Sequence, residues 1–239
     1  MKRQCGVALL LVLWVLALLS TLLGALAATV QLQNRQAQWQ VAHTRGLFAA
    51  EAGLSQAVMA LQARDPKARW SADGEPHVLR FADAELAVSV HSERGKLDLN
   101  AASTQDLGRL LRSCEAQPQT IGAVLEALAL ERRNPVPLRT LEAFRDLPGM
   151  SFSLYRCMSP WITVWSGQMQ PDPALTPAPL AKALGLPVVH APGVNPGQIF
   201  TVVSEARLPN GYRSTLQATL MLTSVKEGAR PFRVLRWQE

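Results

Sequence analysis

Hydrophobic and polar positions divide the first 64 residues into two kinds of predicted helix. The stretch from Val7 to Val30 is almost entirely apolar, and no charged side chain occurs between Arg3 and Arg35. At 1.5 Å per residue, such a helix crosses a hydrocarbon core of about 30 Å. Beyond it, apolar residues recur at helical spacing, without an intervening proline, until Asp65-Pro66. The pattern therefore predicts one continuous helix of about 57 residues, apolar in its first half and amphipathic in its second.

The remainder of the chain is patterned as short strands on either side of a helical middle. Pro209-Asn210-Gly211 predicts a hairpin turn, because Asn and Gly tolerate positive φ. We expect an α+β fold in which a small antiparallel sheet packs on the long helix and an α-helical subdomain is inserted into the sheet domain. The predicted strands are 78–81, 85–90, 161–165, 199–208, 212–223 and 232–237, and the predicted helices are 104–114, 118–133, 138–145 and 151–158.

The N-terminus determines the cellular compartment. Two basic residues before the apolar stretch favour a cytoplasmic N-terminus, with the rest of the chain across the membrane after a single pass. Three interpretations compete: a plain anchor, a secretory signal cut after Ala25-Leu26-Ala27, and a prepilin-type leader cut after Gly6. The third keeps the apolar helix in the mature protein. The continuity of the helix favours it, because a cleaved secretory signal needs no such continuity.

Three features of this region resemble the type IV pilin and pseudopilin superfamily. They are the short basic leader ending in Gly6, the apolar helix starting at Val7, and the stretch Arg45-x-x-x-Ala49-Ala50-Glu51-Ala52-Gly53 in the second half of the helix. The resemblance implies that a prepilin peptidase cuts between Gly6 and Val7. It also implies that the new amino group is then methylated.

The residue at position 11 narrows this resemblance. Most members of the superfamily carry Glu at the fifth residue after the cut, where it meets the N-terminal ammonium of a neighbouring subunit in the filament. The fifth residue here is Leu11, and neither Asp nor Glu occurs between Gly6 and Arg35. This departure is similar to the K-type minor pseudopilin of type II secretion systems, the general secretion pathway protein K family. It implies a place at the end of the filament, where one side has no neighbour.

The predicted order of elements is similar to the same family over nearly the full chain. The resemblance implies a non-enzymatic protein of the Gram-negative inner membrane, with a periplasmic C-terminal domain, at the tip of a pseudopilus that exports folded proteins. The implied partners are the I- and J-type minor pseudopilins, the major pseudopilin, the inner-membrane assembly platform and the prepilin peptidase. The expected organisation is a leader (1–6), a transmembrane half-helix (7–30), a spine half-helix (31–64), a β-domain (65–99 and 160–239) and an inserted helical subdomain (100–159).

The predicted insert also suggests an alternative function. Leu99-Asn100 and Leu147-Pro148-Gly149 are similar to the entry and the hairpin of a helix-hairpin-helix module, whose backbone N–H groups can face phosphate. A minor pilin of a type IV pilus or DNA-uptake filament could use such an insert. However, the arginines between residues 100 and 160 are nearly balanced by acids. Phosphate affinity grows with uncompensated cations, so we do not expect nucleic-acid binding.

Cysteine and histidine usage limits the remaining chemistry. Cys114 and Cys157 both lie in the predicted insert, in a compartment that oxidises thiols, where they form either a disulfide or two buried free thiols. The four histidines stand far apart and give no pair with metal-ligand spacing. We expect neither a catalytic site nor a cofactor. Some K-type relatives bind calcium, but the loop from Gly167 to Gly197 holds only one acid, Asp172, too few for an oxygen cage.

Overall fold

The computed structural model describes residues 5–187, 189, 194–223 and 231–239, with side chains from Leu9 onward. Helix α1 runs from Cys5 to Leu61 without a break and comprises 57 residues. Its C-terminal end at Leu61 lies close to the predicted end near residue 64. The first four residues of the predicted leader, and part of the proline-rich loop after Gly167, lie outside the described residues.

A five-stranded antiparallel sheet packs against the second half of α1. Its strands are β1 (His77–Phe81), β2 (Ala84–Ser92), β5 (Ile199–Arg207), β6 (Arg213–Leu222) and β7 (Phe232–Gln238). The strand order is β1-β2-β5-β6-β7, so the last three strands of the chain extend the sheet that the first hairpin begins. The turn at residues 208–212 joins β5 and β6 as the sequence predicts, with the Gly211 N–H donating to the Leu208 carbonyl.

Small residues on α1 form the contact with this sheet. Gly53 is the position of closest approach, because a Cβ there would overlap Ser204 Oγ and lie 2.9 Å from Val88 Cγ2. The sheet contributes branched and aromatic side chains, so small residues on the helix meet larger ones on the strands. The buried helix residues of this spine–sheet core are Ala42, Ala49, Ala50, Leu54, Ala57 and Val58.

The residues between β2 and β5 form a second unit with its own core. After a single 3₁₀ turn at Glu93–Gly95, the two-residue strands β3 (Leu97–Asp98) and β4 (Ile162–Thr163) pair in parallel and bracket the helices. Phe144 and Met158 are fully buried at its centre among leucines. We call this unit the helical subdomain. Its helices are α2 (Thr104–Ser113), α3 (Pro118–Glu131), α4 (Leu141–Arg145), α5 (Phe152–Met158) and α6 (Ala178–Leu184).

The structure differs from the predicted elements in several places, including helix α6, which lies in the stretch predicted as a loop. The core of the helical subdomain takes in residues on both sides of 100–159, from Leu97 to Leu184. The predicted strand 161–165 shrinks to β4, which pairs with β3 and stands apart from the main sheet. The predicted helix 138–145 starts only at Leu141, because the Thr140 hydroxyl caps it by accepting from the Ala143 N–H at 3.4 Å.

Candidate assembly surfaces

The first half of α1 packs against no other element among the described residues. Its large apolar side chains from Leu9 to Val30 are all exposed, with a mean hydropathy of 2.6 in the most apolar window. This is the one helix among the described residues that is long and apolar enough to cross a membrane. Exposed apolar area of this extent is not stable in water. The half-helix therefore fits a single-pass membrane anchor.

Leu11 lies on this exposed half-helix, with 62% of its surface accessible. The backbone of Gly6 and Val7, at the predicted cleavage site, is part of α1. The Val7 side chain lies outside the described part of the chain. Uncharged residues fill every position of α1 from Leu9 to Asn34. A helix neighbour on any side of this stretch would therefore meet no carboxylate.

An apolar stripe continues along the second half of α1, from Val41 at the edge of the sheet to Phe48 and Met59 on the face turned away from it. Val41, Phe48 and Met59 lie on one face, because spacings of seven and eleven residues return to the same side of an α-helix. Their exposed fractions are 56%, 60% and 73%. The other side of the same helix is buried against the sheet and carries Gly53 and Leu54. The spine is thus covered by the sheet on one side and open to a partner on the other.

Aromatic residues connect α1 to the β5–β6 turn. The Trp39 indole stacks on the His43 imidazole with ring centres 5.2 Å apart, and His43 Nδ1 lies 3.0 Å from the Tyr212 hydroxyl. Beside them, a groove of about 490 Å³ separates α1 from the turns at Asp83 and Asn210. No local pattern predicts these contacts, since Tyr212 lies 169 residues from His43.

The helix-hairpin-helix-like residues lie in the core and at the turns of the helical subdomain. Leu99 is fully buried, and the Asn100 side chain joins two chain segments by donating to the Leu138 carbonyl at 2.9 Å and accepting from the Leu138 N–H at 3.0 Å. Gly149 has a φ of +84°, and a Cβ there would lie 3.0 Å from that of Ala123 on α3. Leu147 is buried, and Pro148 beside it is exposed. The hairpin glycine is thus turned against a helix of its own subdomain.

Several arginines of the helical subdomain are held by internal partners. Arg132 Nε donates to the Leu99 carbonyl at 2.8 Å, and burial lowers the pKa of Arg132, with Asp98 opposing the shift. Arg109 pairs with Asp106 at 3.2 Å and donates to a backbone carbonyl of α6. Guanidinium groups used in this way are not available to phosphates.

A hydrogen-bonded ion pair ties the helical subdomain to the sheet of the β-domain. Arg236 on β7 contacts Glu142 of α4 at 2.9 Å and the Tyr155 hydroxyl of α5 at 3.0 Å. Burial raises the pKa of Tyr155 and so keeps the phenol protonated, although the Arg236 guanidinium opposes that shift. This contact brings the last strand of the chain against helices 81 and 94 residues away.

A disulfide joins the two cysteines of the helical subdomain. The sulfur atoms of Cys114 and Cys157 are bonded, with a Cα–Cα distance of 6.0 Å. The bond connects the end of α2 to α5, and so closes a loop of 43 residues that contains α3 and α4. Free buried thiols, the alternative that the sequence left open, are not what the structure shows.

A buried polar network, for which the sequence carries no local signal, joins the two cores. Lys96 Nζ lies 2.6 Å from Glu93 Oε1 and 3.0 Å from Thr201 Oγ1, and all three residues are buried. Thr201 also donates to Glu93 at 2.6 Å and lies 2.9 Å from the Thr219 hydroxyl of β6. We call this set the joint network, since it holds the 3₁₀ turn to the middle of the sheet.

No group of three His, Cys, Asp or Glu side chains suited to a metal ion occurs in the part of the chain that the structure describes. The Asp172 carboxylate forms a hydrogen bond within its own turn, where it accepts from the Ala174 N–H at 3.1 Å. The residues present therefore give no observation from which to place calcium.

Comparison with known proteins identifies one informative likeness. No family model matches the chain, and no curated protein sequence matches it. Among solved structures, it matches a chain in the crystal structure of the GspK-GspI-GspJ complex from the type 2 secretion system of enterotoxigenic Escherichia coli. The TM-score is 0.50 at 14% sequence identity, over 86% of this chain and 98% of that one. The protein therefore has the α+β fold of a subunit of that type 2 secretion complex.

Proposed function

We propose that this protein is a K-type minor pseudopilin at the tip of the type II secretion pseudopilus, where it helps to start assembly and promotes export of folded proteins. The proposal rests on two observations taken together: an exposed apolar half-helix that is free of any acid, and a fold similar to that of one subunit in the GspK-GspI-GspJ complex. In this account the chain is cut between Gly6 and Val7, methylated, and held in the inner membrane with its domain in the periplasm.

The proposed mechanism is packing and not catalysis. The apolar half of α1 would associate first with lipid and then with the helices of partner subunits, both of which cover its exposed side chains. The apolar stripe would extend that contact into the periplasm. I- and J-type minor pseudopilins are the partners that we propose for it, by analogy with the complex of similar fold. Leu11 would leave a partner's ammonium without a carboxylate, which suits a terminal position.

A co-purification experiment with the full chain tests the stripe. The change is Phe48→Asp with Met59→Asp, and the matched control is Phe152→Asp with Met169→Asp, two residues equally exposed on the other unit. Burial of one such side chain is worth about 1.5–3 kcal/mol, so the stripe variant should lose affinity for I- and J-type partners by about tenfold or more. Equal losses in both variants would contradict the assignment of the stripe.

The proposed tip position has a separate test. Gold label on the C-terminus of the full chain should appear at one end of isolated pseudopili. Label spaced regularly along the filaments would overturn the tip assignment and leave membership of the filament intact.

A further inference from the structure

The end of the sheet that faces the anchor has its own surface chemistry. The turns at Asp83 and Asn210 lie beside α1 between Ala37 and Arg45, on the far side of the groove that they share with the helix. Because α1 leaves the membrane segment near Val30, these two turns are the part of the sheet nearest the bilayer. The opposite end of the sheet is close to the last turn of α1, where Gln62 Nε2 donates to the Pro231 carbonyl at 2.9 Å.

A row of arginines crosses the sheet directly behind these turns. Arg80 pairs in register with Glu85, Glu85 with Arg207, and Arg207 with Arg213, so the four side chains stand side by side on four neighbouring strands. Directly opposed residues in an antiparallel sheet project to the same face. All four are exposed. They lie on the face turned away from α1, because the residues that flank Glu85 and Arg207 in their strands are buried in the spine–sheet core.

The positive charge at this end is only partly neutralised by the protein. None of the three arginines of the row takes part in the ion pairs found among the described residues, nor do Arg35 and Arg45 on α1. These five cations face two acids at the same end, Glu85 and Asp83 in the adjoining turn, which leaves three positive charges. Glu205 lies one register pair further from the turns, opposite Thr215. Arg207 and Arg213 are directly opposed like charges and repel one another, whereas Glu85 stands between Arg80 and Arg207 and attracts both. The row therefore gains from an external anion at its Arg207–Arg213 end.

The position of the row relative to the bilayer follows from the helical rise. Residues 37–45 of α1 lie about 10–22 Å beyond Val30 along the helix axis. The headgroup layer occupies about 5–7 Å of that distance, and the Debye length at physiological salt is about 8 Å. A tilt of about 20°, the average for membrane helices, lowers one side of the domain further. Trp39 lies on α1 level with these turns and is exposed over 57% of its surface, and exposed indoles favour the membrane–water boundary.

We propose that this arginine row, Arg80, Arg207 and Arg213 with Arg35 and Arg45 of the spine, docks the domain onto anionic phospholipid headgroups of the leaflet from which α1 emerges. Each cation near an anionic surface adds attraction, and the flat end of the sheet presents three of them together. Docking would hold the domain down beside the bilayer in which α1 is anchored. The inference rests on the membrane anchor alone and is independent of the proposed place in a secretion system.

Energy transfer in liposomes tests the docking. The full chain, with Cys5→Ser and a fluorophore on Thr215→Cys, is reconstituted in vesicles of phosphatidylcholine alone or with phosphatidylglycerol as about one lipid in three, and acceptor lipid reports the distance to the surface. Thr215 is exposed on the sheet face that carries the row. Phosphatidylglycerol should bring the label closer to the surface and raise the energy transfer, and raising the salt to about 0.5 M should reverse the change, because salt shortens the Debye length from its value of about 10 Å at 0.1 M.

Charge reversal with a matched control separates docking from net charge. The triple variant R80E/R207E/R213E should show no approach in either lipid, because the row then repels the surface. The control R112E/R139E/R156E makes the same change in net charge at exposed arginines of the helical subdomain and should behave as the parent. The milder triple R80Q/R207Q/R213Q should give a partial approach. An unchanged distance in the parent, or equal loss in both charge-reversed triples, would overturn the proposal.

Discussion

The two cores of this molecule are built from different residues and stabilised in different ways. The spine–sheet core places small residues of α1, with Gly53 at the closest point, against larger side chains of the sheet. The helical subdomain has a core of leucines around Phe144, closed by a disulfide. The small residues of α1 let it lie close to the sheet, whereas the disulfide ties the short helices of the subdomain together. The two units therefore should fail separately when either is damaged.

The joint network is a buried place where damage should reach both units. Lys96→Met leaves the Glu93 carboxylate buried with no cation, which costs about 3–5 kcal/mol when one partner of a buried pair is removed. Chemical denaturation followed by hydrogen exchange should show both units weakened. The double variant Lys96→Met with Glu93→Leu should recover most of the loss, since no charge is then buried. A single variant as stable as the parent would show that the pair does not join the cores.

Removal of the disulfide should damage one unit only. Cys114→Ala with Cys157→Ala opens a loop of 43 residues, worth about 4 kcal/mol in the chain-entropy model. Hydrogen exchange should rise across α2 to α5 and stay unchanged in the strands of the sheet and along α1. Equal protection loss in the sheet would mean that the two units unfold together and do not fail separately.

The spine–sheet core should respond to a larger residue at its closest contact. Gly53→Leu places a side chain against Ser204 and Val88 and should cost about 1–3 kcal/mol by overpacking. The matched control is Gly24→Leu in the same helix, where a Cβ would have no atom within 4 Å and the domain stability should not change. Region-resolved exchange should place the loss in the sheet and leave the helical subdomain protected.

The smallest expected effect is a pH dependence near the joint network. Burial, with the nearby Lys96 cation, lowers the pKa of His91 below its usual 6.5, while Glu93 and Asp73 oppose the shift. The folded state therefore favours the neutral imidazole. Its contribution is complete above about pH 6.5, the unfolded value, and is lost as the pH falls toward the folded pKa. Urea titrations between about pH 5 and 7.5 should show this slope, and His91→Gln should flatten it.

The sequence predicted the elements whose signals are local. The helix to about residue 64, the Asn210-Gly211 turn and most helices of the insert follow from periodicity, caps and breakers. Helix α6 was missed because prolines 177 and 179 resemble a loop, although proline is also favoured in the first turn of a helix. Leu180, Ala181 and Leu184, followed by Gly185, carried the signal.

Contacts between distant segments were beyond the sequence. Glu93 and Lys96 look like solvated charges until β5 brings Thr201 to them from 105 residues away. The parallel pair of β3 and β4 has two residues per strand, too few for a strand pattern. The arginine row likewise exists only once the register of four strands is known. Without the pairing of the strands, the charges in the sequence do not distinguish a docking surface from charged residues that are scattered over the protein.

The central claim is that α1 is the retained helix of a pilin-type subunit, and the N-terminal mass of the mature protein tests it most directly. The full chain would be isolated from membranes of cells with and without the prepilin peptidase. The account predicts a methylated start at Val7 that depends on the peptidase. A start at Ala28 would show ordinary secretion, and an intact Met1 in both strains would show a plain anchor; either result would contradict it.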